Sequence, residues 1–176
     1  AKWCDPCYSL IMALNINGTT GISGVDGSAS APALQGSDSN TGVSFGTDTV
    51  NIVTGGSTRA TVDSSGNLGV GETSPLGKLH VKTADSGATA EVSADELVIE
   101  GSNHSGISIL SGTGNAGTIN FGDSDDNDIG RILYNHNGNL MSFHVDASER
   151  IRIDSSGRLL INVTGTQSHG TVNNGS

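Results

Sequence analysis

Positive charge, aromatic side chains and usable cysteines are all scarce in this chain. Eight Lys and Arg stand against eighteen Asp and Glu, a net charge of −10. The cationic surface that neutralises phosphates is therefore missing, which excludes nucleic-acid binding. An anionic membrane surface would repel the chain as well. No apolar run approaches the about 20 residues of a membrane span, so no membrane insertion is expected. The two cysteines, Cys4 and Cys7, sit within the first seven residues, and no disulfide can staple the remainder. Only six residues in 176 are Phe, Trp or Tyr, and the apolar share is 34%. A lone domain of that composition has few large side chains to offset about 1 to 2 kcal/mol of backbone entropy per ordered residue. Charge runs of the kind that mark disorder are also missing. The reading that fits both facts is a core shared between chains.

What is abundant is Gly, 26 residues, and Ser, 24. From Ala13 onward no amphipathic helical period survives. Short alternating runs bounded by Gly, Asn, Asp or Ser predict strands at 49–53, 59–63, 79–82, 97–100, 106–110, 118–121, 129–134, 139–145, 150–154 and 158–163. The one helical candidate is a brief turn at 73–77, bracketed by Pro75 and Gly77.

An internal repeat appears when Arg59 is laid on Arg150, an offset of 91. Both copies read strand, Asp-Ser-Ser-Gly turn, strand. Asp63 and Asp154 can cap the turns, and Gly66 and Gly157 supply a positive φ. These four residues are the candidate turn determinants, with Val62 beside Leu68 and Ile153 beside Leu159 turned inward. A second echo aligns the segment 40–46 with 115–122, so that 129–145 reads as an inserted hairpin. The chain then divides into an N-terminal extension (1–12), a Gly/Ser-rich anchoring segment (13–45), a first shaft repeat (46–90) and a second (91–176) carrying that hairpin. Met12 reads as a natural start, which makes 1–11 an upstream addition. Serial modules with little bulk bury their apolar faces on neighbours, and threefold association leaves few open edges. The expected fold is an all-β, elongated homotrimer, an intertwined fibre or prism of short strands and hairpins.

The wording of the repeats resembles bacteriophage tail-fibre and related virion-fibre proteins. Residues 66–81, Gly-Asn-Leu-Gly-Val-Gly-Glu-Thr-Ser-Pro-Leu-Gly-Lys-Leu-His-Val, are similar to a recurrent shaft phrase of such fibres, with Glu72 where Thr is usual. Segments 97–106, 121–131 and 149–161 resemble the neck that precedes an intramolecular trimerisation chaperone, and the likeness spans about 49 to 163. No chaperone-sized segment comes after Val163. The resemblance implies a non-enzymatic virion protein, a fibre or spike shaft supporting host attachment, joined to other virion proteins through its N-terminal segment. A non-viral filament or adhesin subunit built of the same repeats is the alternative.

Candidate chemistry is sparse. Trp3-Cys4-Asp5-Pro6-Cys7 resembles a thiol-oxidoreductase motif, but no βαβ unit surrounds it. The run Asp123 to Asp128 offers oxygens at calcium-loop spacing, yet position 12 would be Tyr134 rather than Glu. The five histidines, His80, His104, His136, His144 and His169, form no His-x-His pair, and no metal or cofactor is assigned. Tyr134, His136 and Phe143 are the candidate contact surface for a host glycan. The competing reading packs them inside the trimer, since Met141, Phe143 and Val145 alternate as a buried face.

Overall fold

The computed structural model describes residues 15–17, 21–23 and 26–161. The chain is all-β, and among the described residues there is no helix. Among the described residues fourteen short strands succeed one another, each ended by the Gly, Asn, Asp or Ser clusters that break the alternation. Strands β1 (Asn15–Asn17) and β2 (Gly21–Ser23) form a two-stranded antiparallel pair. The chain then makes two compact units that divide between Gly106 and Ile107.

The first unit holds a seven-stranded sheet: β3 (Leu34–Gln35), β4 (Gly42–Gly46), β5 (Thr49–Thr54), β6 (Ser57–Val62), β7 (Leu68–Val70), β8 (Leu79–Lys82) and β9 (Leu97–Glu100). Strands β3 to β7 meander antiparallel, whereas β8 joins β7, and β9 joins β8, in parallel. The second unit is an antiparallel five-stranded meander of β10 (Ala116–Phe121), β11 (Gly130–Asn135), β12 (Leu140–Val145), β13 (Ser148–Ile153) and β14 (Leu159–Ile161).

Two expectations are corrected. Residues 73–77 form bends rather than a helical turn, because the Glu72 carboxylate accepts the N–H groups of Thr73 and Ser74 at 2.7 Å each and Pro75 can donate no main-chain hydrogen bond to continue the turn. Residues 106–110 alternate like a strand but join no ladder.

The offset of 91 places β5, β6 and β7 on β12, β13 and β14 residue for residue. It extends to a bulge: Arg59 is skipped between the pairs Val53–Thr58 and Ile52–Ala60, and Arg150 between His144–Glu149 and Phe143–Ile151. Counting back from the shared turn, β11 and β12 take the places of β4 and β5, so 129–145 has a counterpart in the first sheet. The two-residue turn after β5 is Gly55-Gly56, with both φ values positive; its counterpart is Asp146-Ala147, at φ 55° and 52°. A left-handed alanine costs about 1 kcal/mol more than glycine. Ala147→Gly is therefore expected to stabilise the protein by about 1 kcal/mol, read as a rise in thermal midpoint.

Residues opposite one another in a ladder share a face. In the first sheet two rows cross six strands on one face: Val43, Ile52, Ala60, Val70, Val81, Ile99, and Phe45, Val50, Val62, Leu68, Leu79, Leu97. In the second sheet the matching rows are Ile119, Ile132, Phe143, Ile151, Ile161, and Gly117, Tyr134, Met141, Ile153, Leu159. These four rows contain no charged residue. Between the first pair, on the opposite face, runs Ser44, Asn51, Thr61, Gly69, His80, Val98.

Burial is inverted relative to an ordinary domain. Ser44, Thr61, His80, Glu100 and Ser142 are buried, and among the described residues only Val53 and Pro32 are buried apolar side chains. Val50, Ile52, Val62, Val70, Met141, Ile153, Leu159 and Ile161 are exposed, Ile161 by 54%. In the first sheet the 72–76 bend lies over the polar row at Gly69 and His80, while the apolar rows stay largely open.

Candidate functional site

The two Asp-Ser-Ser-Gly turns are wired alike. Asp63 Oδ1 accepts the N–H groups of Ser65 (2.9 Å) and Asn67 (2.8 Å), and Asp154 Oδ1 those of Ser156 (2.9 Å) and Arg158 (3.0 Å). Gly66 and Gly157 donate to the Asp63 and Asp154 carbonyls at 3.0 and 2.9 Å, with φ values of 74° and 76°. Both carboxyls sit below their usual pKa, Asp63 chiefly through the Asn67 N–H and Asp154 chiefly through the Arg158 side chain. Val62 lies opposite Leu68 and Ile153 opposite Leu159, on the apolar faces. Gly157→Val is expected to cost more than about 1 kcal/mol per chain, because a β-branched residue resists positive φ. Thermal unfolding checks this against Ser155→Ala, whose exposed hydroxyl predicts little change.

Tyr134, His136 and Phe143 fall in one unit but not on one spot. The Tyr134 and His136 rings meet edge to face with centroids 4.9 Å apart. They line a shallow cavity of about 230 Å³ with Ile109, Ile119, Ile132 and Met141. Phe143 shares the apolar face in the neighbouring row, between Ile132 and Ile151, and does not line the cavity. These walls suit apolar packing far better than a sugar, which needs several convergent polar groups.

The most concentrated polar chemistry is a cluster that sequence reasoning missed, formed by Glu72, His80, Lys82 and Glu100. Parallel pairing sets Lys82 of β8 beside Glu100 of β9, and the bend after β7 carries Glu72 over them. Lys82 Nζ lies 2.7 Å from Glu72 Oε2 and 3.5 Å from Glu100 Oε2. Glu100 Oε1 accepts the Ser86 N–H at 2.6 Å and its hydroxyl at 2.9 Å. His80 is fully buried; its Nδ1 accepts the Leu76 N–H at 3.2 Å, which leaves the proton on Nε2, 2.9 Å from Glu100 Oε2. A cleft of about 340 Å³ opens beside the cluster, walled by Glu72, Ser74, Lys82, Asp85 and Glu100.

Three potential ligand atoms, from Glu72, His80 and Glu100, lie within 4.8 Å of one another, as a metal site requires. The donor chemistry does not fit a metal. The Lys82 ammonium already bridges both carboxylates, and a nitrogen that carries a proton cannot ligate through the same lone pair. The cluster is instead an internal ion pair network that ties the 72–76 bend to β8 and β9. Among sequence signals, only the Glu72 departure from the usual shaft phrase and the presence of His80 among the histidines touched it.

The Ser86 N–H and hydroxyl, followed by Lys82, hold the Glu100 pKa down to about 2 from 4.5. Glu72 is lowered chiefly by Lys82. A carboxylate depressed on folding contributes stability above its unfolded pKa and loses it as pH falls through the folded value. The thermal midpoint is therefore expected to fall between pH 4.5 and about 2, with a smaller fall in Glu100→Gln, measured by melting curves in a pH series.

Other candidates resolve simply. Asp123 Oδ1 accepts the N–H groups of Asp125 and Asp126, closing its turn on itself, and Asp128 pairs with Arg131. The motif Trp3 to Cys7 lies outside the described residues, as do the extension 1–12 and His169. No family model and no curated protein matches the chain.

Proposed function

We propose that the chain is a non-enzymatic structural subunit, the homotrimeric β shaft of a phage fibre or spike, resident in the virion and supporting host attachment. The observation that carries this reading is the inversion of burial: two sheets with continuous apolar faces open to solvent. Strands about 4.8 Å apart and rows about 7 Å apart give the two faces a combined area of about 700 Å² per chain. A chain whose core is external needs its partner permanently, which a second and third copy supply by symmetry. The phrase-level likeness of residues 66–81 to fibre shafts favours the viral setting.

Sedimentation equilibrium combined with electron microscopy of particles tests the proposal. Three chains per assembly, in rods of fixed length attached to tails or capsids, support it. A stable monomer near 17.8 kDa overturns it, and long filaments of variable length favour the non-viral alternative.

A further inference from the structure

Residues 106–110 have the composition of a strand, Gly-Ile-Ser-Ile-Leu, yet among the described residues their backbone donates and accepts no main-chain hydrogen bond from 102 through 111. Ile107 is 66% exposed and Leu110 92%, while Ile109, 47% exposed, lies against Gly117 and lines the cavity of its own unit. Ser111, which ends the segment, has a buried hydroxyl without a partner. A strand sequence with its ladder groups unpaired is an incomplete structure, since water hydrates those groups only until the apolar side chains beside them are buried.

The same chain carries an edge of matching length. Strand β9 is the last of its sheet and is paired on one side only. Its even-numbered residues bond to β8: Leu79 N–H donates to the Glu96 carbonyl at 3.0 Å, and Thr83 N–H to that of Glu100 at 3.0 Å. By the alternation of a parallel ladder, the main-chain groups of Leu97 and Ile99 face the open edge.

We infer that residues 106–110 of one copy add as an extra strand to the open edge of β9 in a neighbouring copy. The inference rests on the assembly proposed above and names the main-chain contact that locks it. Donor and acceptor on one chain make the exchange reciprocal around a closed ring, so that every copy gives one strand and receives one. In the parallel register that sets Ile107 beside Leu97 and Ile109 beside Ile99, both isoleucines extend the apolar rows, Ser108 falls on the polar face with Val98, and the Ser108 N–H meets the Leu97 carbonyl. A five-residue bridge from Glu100 to Gly106 leads directly from acceptor to donor.

Hydrogen exchange on the assembled protein, combined with isotope-filtered NOE spectra after co-refolding labelled with unlabelled chain, decides the matter. Expected are amides in 107–110 protected about a hundredfold over an unstructured peptide, with inter-chain NOEs to 97–99. An assembled protein whose 107–110 amides exchange freely overturns the inference and leaves the shaft reading standing. Protection with NOEs only within one chain overturns it too, assigning the partner to the chain itself. A protein that sediments as a monomer overturns the shaft reading first. As a second variant, Ser108→Pro removes one donor without touching either apolar row, and is expected to weaken assembly at least tenfold.

Discussion

Ile153→Asp will disassemble the protein. Ile153 lies between Met141 and Leu159 in an apolar row of the second sheet and is 42% exposed in the single chain. In an isolated chain the new carboxylate can therefore remain hydrated, at little cost to the sheet. Once three such faces close on one another, each copy must desolvate a charge with no cation in its row. An uncompensated buried charge costs about 3 to 5 kcal/mol. That corresponds to a dissociation constant raised by at least about a hundredfold, and the effect multiplies if three carboxylates meet at an axis. Asn120→Asp is the control, exposed on the opposite face opposite Arg131, where the carboxylate enters no apolar row and assembly should persist. Sedimentation equilibrium reads both. Undiminished assembly of Ile153→Asp would mean that the rows are covered by something other than copies of themselves.

The faces behind this expectation were legible in the sequence because they are written in a period of two. Val50, Ile52, Val62, Ile153 and Leu159 each alternate with a polar neighbour, and the Asp-Ser-Ser-Gly turns announce where the next strand begins. Both signals are local. What stayed hidden depends on partners distant along the chain. Leu79–Lys82 and Leu97–Glu100 are readable as strands, but nothing local says that they pair in parallel, and only that pairing brings His80, Lys82 and Glu100 together. An alternation reader also assigns the apolar positions to the interior of the chain or of an assembly without distinguishing the two. The structure shows that the single chain leaves them open while burying Ser44, Thr61 and His80. Segment 106–110 shows the limit of local reading most sharply: its pattern is that of a strand, and whether it becomes one is decided by an edge elsewhere.

The phrase at 66–71 spaces its glycines closely, and the structure gives two of them different physical reasons. Gly66 has a positive φ with open space around it, so Gly66→Ala should cost only the conformational penalty, about 1 kcal/mol. Gly69 has an ordinary backbone conformation, and its constraint is steric. A Cβ there would overlap the Glu72 carbonyl oxygen and approach Pro75 Cγ at 3.0 Å. Alanine must therefore push the 72–76 bend off the sheet. That bend carries the Glu72 carboxylate to Lys82 and the Leu76 N–H to His80. Displacing it exposes a buried row and unpairs the Glu72–Lys82 ion pair together, and overpacking against main chain alone costs about 1 to 3 kcal/mol. Gly69→Ala is thus expected to lose at least about twice the stability lost by Gly66→Ala, measured by chemical denaturation of the assembled protein at fixed concentration. It should also weaken the acid transition between pH 4.5 and about 2 that the cluster produces, because Glu72 no longer reaches Lys82. Equal losses in the two variants would show that the bend does not rest on Gly69, and the ion pair network would then need another support.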